Sequence, residues 1–217
     1  VPLEMDGEVD DWINDMEDRN VSQYVHAEPI LLTAENAVAG NVKFDLDFSG
    51  IAYTLWNENS LYLAGIVFGE ERSIESGQVV GTRDEYKALF RINQEKINIH
   101  KRNDDNLSVT INGKNYQNIS YAIGKVDSKN LTDSRNIRFH FIHKSGRLQT
   151  VDNVTGEFFE LHIPWKLLQN SKLKEESPVK LLIQYDSEDD ILQFPRDAEL
   201  NNSKTWKNLE FIGNEKI

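Results

Sequence analysis

Cysteine is absent from the 217-residue chain. This absence excludes disulfides, thiolate nucleophiles, zinc–thiolate sites and iron–sulfur clusters together. Long apolar runs are missing as well, because no stretch approaches the roughly 20 residues that span a bilayer, so membrane insertion is not expected. The redox compartment stays open, since a chain without cysteine is compatible with the cytosol, the periplasm or the outside.

Positive charge is also scarce. The chain has 24 Lys and Arg against 36 Asp and Glu, a formal net charge of −12, and no local cluster of basic residues offsets it. Such a chain repels phosphate backbones, so nucleic acid is excluded as a partner class. With 39% hydrophobic and 10% aromatic residues the chain can bury a core, and its length predicts a single domain over residues 1–217.

The apolar residues alternate with period two, which is typical of half-buried strands. The clearest runs are 51–56, 61–68, 86–92, 96–100, 107–111, 116–123, 137–143, 157–163, 179–185 and 209–212. Helical signal is limited to residues 9–16 and 164–168, and Asn112-Gly113 predicts a hairpin over residues 107–123. The pattern predicts an all-β fold, a two-layer antiparallel β-sandwich of jelly-roll type with short helical turns.

Sequence motifs of known enzymes are missing. The chain has no nucleophile elbow, no His-Glu-x-x-His pair, no phosphate loop and no dinucleotide fingerprint. His140 and His143 are three residues apart on a predicted strand, so they point to opposite faces and cannot share a metal. The adjacent acidic pairs are typical of solvated loop tips. We therefore predict no catalytic residues.

One acidic loop begins like a calcium-binding hand. Asp45, Asp47 and Ser49 supply oxygen ligands at alternate positions, but the place of the final bidentate Glu is taken by Trp56, inside a predicted strand. A helical hand is therefore excluded. A calcium ion held by loop acids of a sandwich needs only converging oxygens, and Asp45, Asp47 and Asp6 are the candidate ligands.

The tryptophans allow two interpretations. Planar rings can stack on the C–H faces of sugars, or they can anchor a core. Trp12, Trp56, Trp165 and Trp206 each lie in or beside an apolar strand. We therefore expect them to be buried.

Six segments carry a family resemblance. They are 5–12 (MDGEVDDW), 55–64 (LWNENSLYLA), 84–90 (DEYKALF), 157–165 (EFFELHIPW), 182–186 (LIQYD) and 206–211 (WKNLEF). In this order they resemble the family-nine carbohydrate-binding modules over residues 6–212. The resemblance implies a β-sandwich with bound calcium and a sugar-binding face.

The departures from that family lie in the implied sugar site. Gly81 and Lys204 stand where two tryptophans clamp the sugar, Lys87 replaces an acid, and Gly69 replaces an Asp. The polar groups that remain are Gln184 and the segment beginning at Asn201. The candidate carbohydrate-binding residues are Lys87, Gln184, Asn201, Asp84 and Arg83. Without stacking rings we expect weak binding, and Lys87 predicts a positive local field that favours an acidic sugar or another carboxylate.

Three functions remain open. The first is a non-catalytic carbohydrate-binding module that is secreted, periplasmic or at the cell surface. The second is a surface or assembly domain that binds another protein or domain. The third is a haem-binding relative of the same sandwich, for which only Met5 and Met16 offer sulfur ligands. A fold hosts unrelated sites, so the site must decide between them.

Overall fold

The computed structural model describes residues 3–13, 25–26, 29–69, 73–75, 78–80, 82–169 and 179–209. The strands are β1 Val25–His26, β2 Ile30–Leu32, β3 Ala37–Ala39, β4 Phe48–Trp56, β5 Ser60–Gly69, β6 Ser73–Glu75, β7 Gln78–Val80, β8 Tyr86–Ile92, β9 Glu95–Lys101, β10 Leu107–Ile111, β11 Lys114–Tyr116, β12 Ser120–Asp127, β13 His140–Ile142, β14 Leu148–Thr150, β15 Val154–Pro164, β16 Val179–Ser187, β17 Asp190–Phe194 and β18 Lys207–Leu209. Among these described residues, helical structure is limited to α1 Asp10–Ile13 and short 3-10 turns.

Two sheets of eight strands each account for most of the described residues. The first sheet runs β1-β4-β5-β15-β7-β6, with β12 also paired to β15 and β2 to β4. The second runs β11-β10-β9-β8-β16-β17-β3, with β18 paired to β16. All described pairings are antiparallel except the short parallel contact between β15 and β7. The predicted all-β antiparallel sandwich is confirmed.

The two sheets differ in how their outer faces are covered. Every residue of β4 and β5 is buried, so these strands are covered on both faces. The inner face packs in the cluster that contains Phe90 and Phe159, and the outer face packs against Trp12, Leu131 and Phe139. By contrast, β8 and β9 alternate between buried and more exposed residues. The outer face of the second sheet is therefore polar and largely open.

Three local predictions need correction. The hairpin at Asn112-Gly113 forms between β10 and β11, but β12 leaves that sheet and pairs with β15. The predicted strand over 137–143 is reduced to β13, because Ile137 and Phe139 turn inward to cover the first sheet. The helix expected over 9–16 contains residues 10–13, and residues 14–16 lie outside the described part.

The predicted strand over 209–212 is described only at Leu209, the end of β18, and residues 210–212 lie outside the described part. The helical signal at 164–168 is a 3-10 helix, Trp165–Leu167. Within the described residues, no helix has the length and apolarity required to cross a bilayer.

Candidate functional site

The outer face of the second sheet carries a track of polar side chains along β8 and β16. Lys87 pairs with Asp186, Arg91 pairs with Leu182, and Gln184 lies between them on β16. Lys87 and Arg91 are four residues apart on one strand, which corresponds to about 13 Å. Because alternate residues of neighbouring strands share a face, Lys87, Gln184 and Arg91 lie on the outer face, where Leu182 is buried in a cluster with Ala198 and Trp206.

A hollow of about 580 Å³ lies at one end of this track. It is lined by Thr82, Arg83, Asp84, Glu85, Tyr86, Lys87, Asn103, Asp186, Ser187, Glu188 and Asp190. Three of the predicted sugar-binding residues, Arg83, Asp84 and Lys87, are thus brought together. Asp84 and Lys87 are exposed to solvent, whereas Arg83 is buried.

Arg83 is held by protein acceptors. Its Nη2 donates to the backbone oxygen of Asp47 at 2.6 Å and to Oδ2 of Asp190 at 2.8 Å. Its guanidinium also lies 4.7 Å from the centre of the Phe48 ring. A buried arginine that donates to two separate segments of the chain fixes them against each other. Arg83 therefore shapes the hollow, and Asp84 and Lys87 are the groups that face solvent.

The charge of this hollow differs from the expectation based on Lys87 alone. Two cations face five carboxylates, a formal excess of three negative charges. The carboxylates are Asp84, Glu85, Asp186, Glu188 and Asp190. The prediction of a positive local field is therefore wrong for the lining residues. The reason to expect an acidic partner at Lys87 is removed with it.

Gln184 is oriented by a second glutamine. Its Nε2 donates to Oε1 of Gln193 at 2.7 Å. Gln193 is buried, and its own Nε2 donates to the backbone oxygens of Pro195, Arg196 and Ala198. These hydrogen bonds from the Gln193 amide fix the loop after β17 against the sheet. Gln184 itself is half-buried at the centre of the track.

Asn201 lies in a second hollow, of about 440 Å³, at the other end of the track. This hollow also contains Arg91, whose guanidinium is 5.0 Å from the Trp206 ring, and Lys180. Asn201 and Lys204 are exposed. The predicted residues therefore share one face but divide between two hollows, with Gln184 between them.

All four tryptophans are buried, with exposures of 4% for Trp12 and Trp56, 7% for Trp165 and 6% for Trp206. The predicted anchoring role is confirmed. Lys204 is described and offers no ring, while Gly81, the second position matched to a clamping tryptophan, lies outside the described residues. Stacking on a tryptophan is therefore not available to a ligand of the native fold.

The carboxylate of Asp45 accepts hydrogen bonds from two backbone N–H groups. Its Oδ1 accepts a hydrogen bond from the N–H of Ala34 at 2.7 Å, and its Oδ2 accepts one from the N–H of Arg138 at 2.6 Å. Burial raises the pKa of Asp45, although the two backbone donors act in the opposite direction. Both oxygens therefore tie separate loops to the 43–47 turn.

Asp47 and Asp6 have similar local partners. Asp47 Oδ2 accepts from the N–H groups of Lys43 and Phe44, and Asp6 Oδ1 accepts from the N–H of Glu8. Across the described ranges no group of three His, Cys, Asp or Glu side chains could hold a metal. The three aspartates therefore do not fit a shared calcium site, and calcium binding stays a prediction that has yet to be tested.

A serine–histidine contact escaped the sequence reasoning. Ser60 Oγ and His162 Nε2 are 2.5 Å apart, and the imidazole stacks on Tyr62 at 4.8 Å. Ser60 is 3% exposed, so its hydroxyl is not presented to a substrate. The pairing of Ser60 with Pro164 across β5 and β15 creates the contact, and 102 residues separate the two partners. No sequence motif of that span would reveal it.

Comparison with known proteins gives limited information. No family model matches the chain, and no curated protein matches it. Among solved structures the chain is similar to a family 9 carbohydrate-binding module from Caldicellulosiruptor kristjanssonii in complex with cellotriose, at 12% sequence identity and a TM-score of 0.48. The match covers 99% of this chain and 92% of that one. At this identity and TM-score, the likeness assigns neither a family nor a ligand.

Proposed function

We propose that this chain is a non-catalytic, extracytoplasmic carbohydrate-binding module whose site is the polar track on the outer face of the second sheet. The observation that carries the proposal is that face itself. Lys87 lines one hollow, Asn201 lines the other, and Gln184 lies between the two hollows on β16. Amide and charged side chains on a rigid face suit the hydroxyls of an extended sugar chain.

The ligand proposed for this track is a neutral glycan. The lining of the larger hollow has an excess of carboxylates, which repels uronates and sulfates. Carboxylates accept hydrogen bonds from sugar hydroxyls, and Lys87 donates. Without an exposed tryptophan, each hydrogen bond exchanged with water returns only about 0.5 to 1.5 kcal/mol, so the Kd should be on the order of millimolar.

The burial of Ser60 supports the non-catalytic part of the proposal, because it removes one nucleophile–base pair from consideration. The Ser60 hydroxyl is buried within the sheet although it contacts His162. A nucleophile needs a substrate carbonyl or anomeric carbon within reach, and burial prevents this approach. We expect no release of reducing ends from any polysaccharide incubated with the pure protein. Release that a single carboxylate substitution abolishes would contradict the proposal.

Affinity electrophoresis in gels containing neutral polysaccharides tests the binding site. We expect at least one polysaccharide to retard the wild-type chain, and Lys87→Ala or Gln184→Ala to remove that retardation. Lys129→Ala is the matched control, because Lys129 is exposed outside the second sheet. No retardation by any polysaccharide, or equal retardation of all variants, would overturn the proposal.

A protein-binding role is the second candidate, and one apolar pair favours it. Ile142 and Leu148 face each other on the β13–β14 hairpin and are 57% and 56% exposed. Adjacent exposed aliphatic side chains are typical of a contact surface. If this hairpin is the functional surface, Ile142→Ser should abolish capture of a partner while Lys87→Ala leaves it intact.

A further inference from the structure

A third hollow, of about 500 Å³, lies where the chain passes from the second sheet to the first. It is lined by Lys114, Asn115, Tyr116, Gln117, Asn118, Ile119, Ser120, His162, Pro164, Lys166 and Leu167. The crossing segment 117–119 joins β11 to β12, and β12 then pairs Ser120 with His162. The 3-10 helix Trp165–Leu167 brings Lys166 to the same place.

The charge of this hollow is opposite to that of the whole molecule. Lys114 and Lys166 line it, and no Asp or Glu does, although the chain has a net charge of −12. Both lysines are exposed, and neither forms an ion pair within the part of the chain that the structure describes. Burial lowers the pKa of His162, so the imidazole is neutral near pH 7. Two unpaired ammonium groups therefore set the local field.

The other side chains of the hollow suit a sugar. Tyr116 is half-buried, and Lys114 Nζ lies 5.3 Å from the centre of its ring. Three exposed amide side chains line the hollow, Asn115 from β11 and Gln117 and Asn118 from the crossing segment. Amides donate to and accept from hydroxyls, and a tyrosine ring offers a planar apolar face. A small inorganic anion would use the lysines alone.

We infer that this hollow, defined by Lys114, Tyr116, the 115–118 amides and Lys166, binds an oligosaccharide that bears anionic groups. The lysines attract carboxylate or sulfate groups, while the amides and the ring contact the sugar itself. This site is separate from the polar track of the second sheet. It therefore binds its ligand whether or not the track binds a neutral glycan.

Isothermal titration with oligogalacturonate tests the inference. The fully methyl-esterified oligosaccharide is the matched ligand control, because it keeps the sugar backbone and lacks the charge. We expect binding of the charged form only, weakened about three- to tenfold in the double variant Lys114→Gln/Lys166→Gln, as expected for two exposed ion pairs. A sulfated oligosaccharide in a parallel titration shows which anionic group is preferred; loss of its binding in the double variant also supports the site.

Matched protein controls separate a site from diffuse attraction. Lys43→Gln/Lys129→Gln removes the same two charges elsewhere, from exposed positions, and should bind oligogalacturonate like the wild type. Tyr116→Ala should weaken binding without a change in charge. Equal binding of the esterified form, equal loss in the control double variant, inorganic phosphate binding as tightly as the oligosaccharide, or no binding at all would overturn the inference. If the polar track is not a binding site, the chain will not bind neutral polysaccharides, whereas its binding of oligogalacturonate will be unchanged.

Discussion

Arg83 fills the space above Gly69 in the first sheet. A Cβ added at Gly69 would lie 2.3 Å from Arg83 Cγ and 2.5 Å from Nε. Real Cβ atoms do not approach so closely, so any larger residue at position 69 must displace the arginine. A side chain such as Asp at position 69 is incompatible with this packing of Arg83.

The contact predicts a coupled pair of substitutions. We expect Gly69→Ala to lower the free energy of unfolding by about 1 to 3 kcal/mol through overpacking. In an Arg83→Ala background the same substitution should have little effect, because the clashing side chain is gone. Urea denaturation of the two single variants and the double variant measures this coupling. Additive losses would show that Arg83 does not lie against Gly69.

Asp45 allows a second test at the residue scale. Since both carboxylate oxygens accept backbone N–H groups, we expect Asp45→Ala to destabilise the fold by about 1 to 3 kcal/mol, whether calcium or a chelator is present. Equal melting temperatures of the wild type in both conditions would show that no calcium binds the folded state. A lower melting temperature in chelator would mean that calcium binds the folded state.

The backbone conformation of one turn determines the β10–β11 hairpin. Asn112 and Gly113 have φ angles of 52° and 83°, in the left-handed region, and no atom lies within 4 Å of a Cβ added to Gly113. We expect Gly113→Ala to destabilise the chain by about 1 to 2 kcal/mol from backbone conformation alone. Chemical denaturation measures this, with Asn115→Ala in the next strand as control. If Gly113→Ala leaves the free energy of unfolding unchanged, the observed turn geometry is excluded.

The hairpin also shows what the sequence could and could not predict. The Asn-Gly turn and the alternation of β8 and β9 predict local strands correctly, because backbone conformation and half-burial are local properties. The move of β12 to the first sheet is not encoded locally, since its partner β15 lies 28 or more residues away along the chain. The hollow that contains Lys114 and Lys166 depends on that move, so it could not be predicted.

The polar track was partly predictable for the same reason. Lys87 on β8 and Gln184 on β16 lie on strands whose residues alternate between the two faces of the sheet. Their shared face follows from this period of two. The carboxylates around Lys87 come from loops such as Glu188 and Asp190, whose placement depends on the whole fold. A charge predicted from one residue therefore had the wrong sign.

At the scale of the whole molecule, the charge predicts an unusual response to pH. Burial raises the pKa of Asp45, Glu157 and Glu160. A carboxyl group with a raised folded pKa contributes most to stability below its unfolded pKa, and this contribution is lost as pH rises through the folded value. The net charge of −12 acts in the same direction, because self-repulsion falls toward the isoelectric point near 4.9.

We therefore expect the melting temperature to rise when the pH is lowered from about 7.5 to about 5.5. His162 opposes this trend, because its lowered pKa favours the unfolded state as pH falls through about 6.5. His162→Gln should consequently show a steeper rise than the wild type. Scanning calorimetry at several pH values measures both. A melting temperature that falls steadily over this range would contradict the assigned burial of the three carboxyl groups.

The most direct test of the proposed function is a residue-resolved titration. Proton–nitrogen NMR spectra of the labelled chain, recorded with a panel of neutral oligosaccharides, report separately on Lys87, Gln184 and Asn201. We predict that at least one oligosaccharide shifts the side-chain amide of Gln184 and the backbone amide of Lys87 together, with a Kd on the order of millimolar. No shift at these residues with any neutral oligosaccharide, or shifts confined to other surfaces, would contradict the assignment of this face as a glycan-binding site.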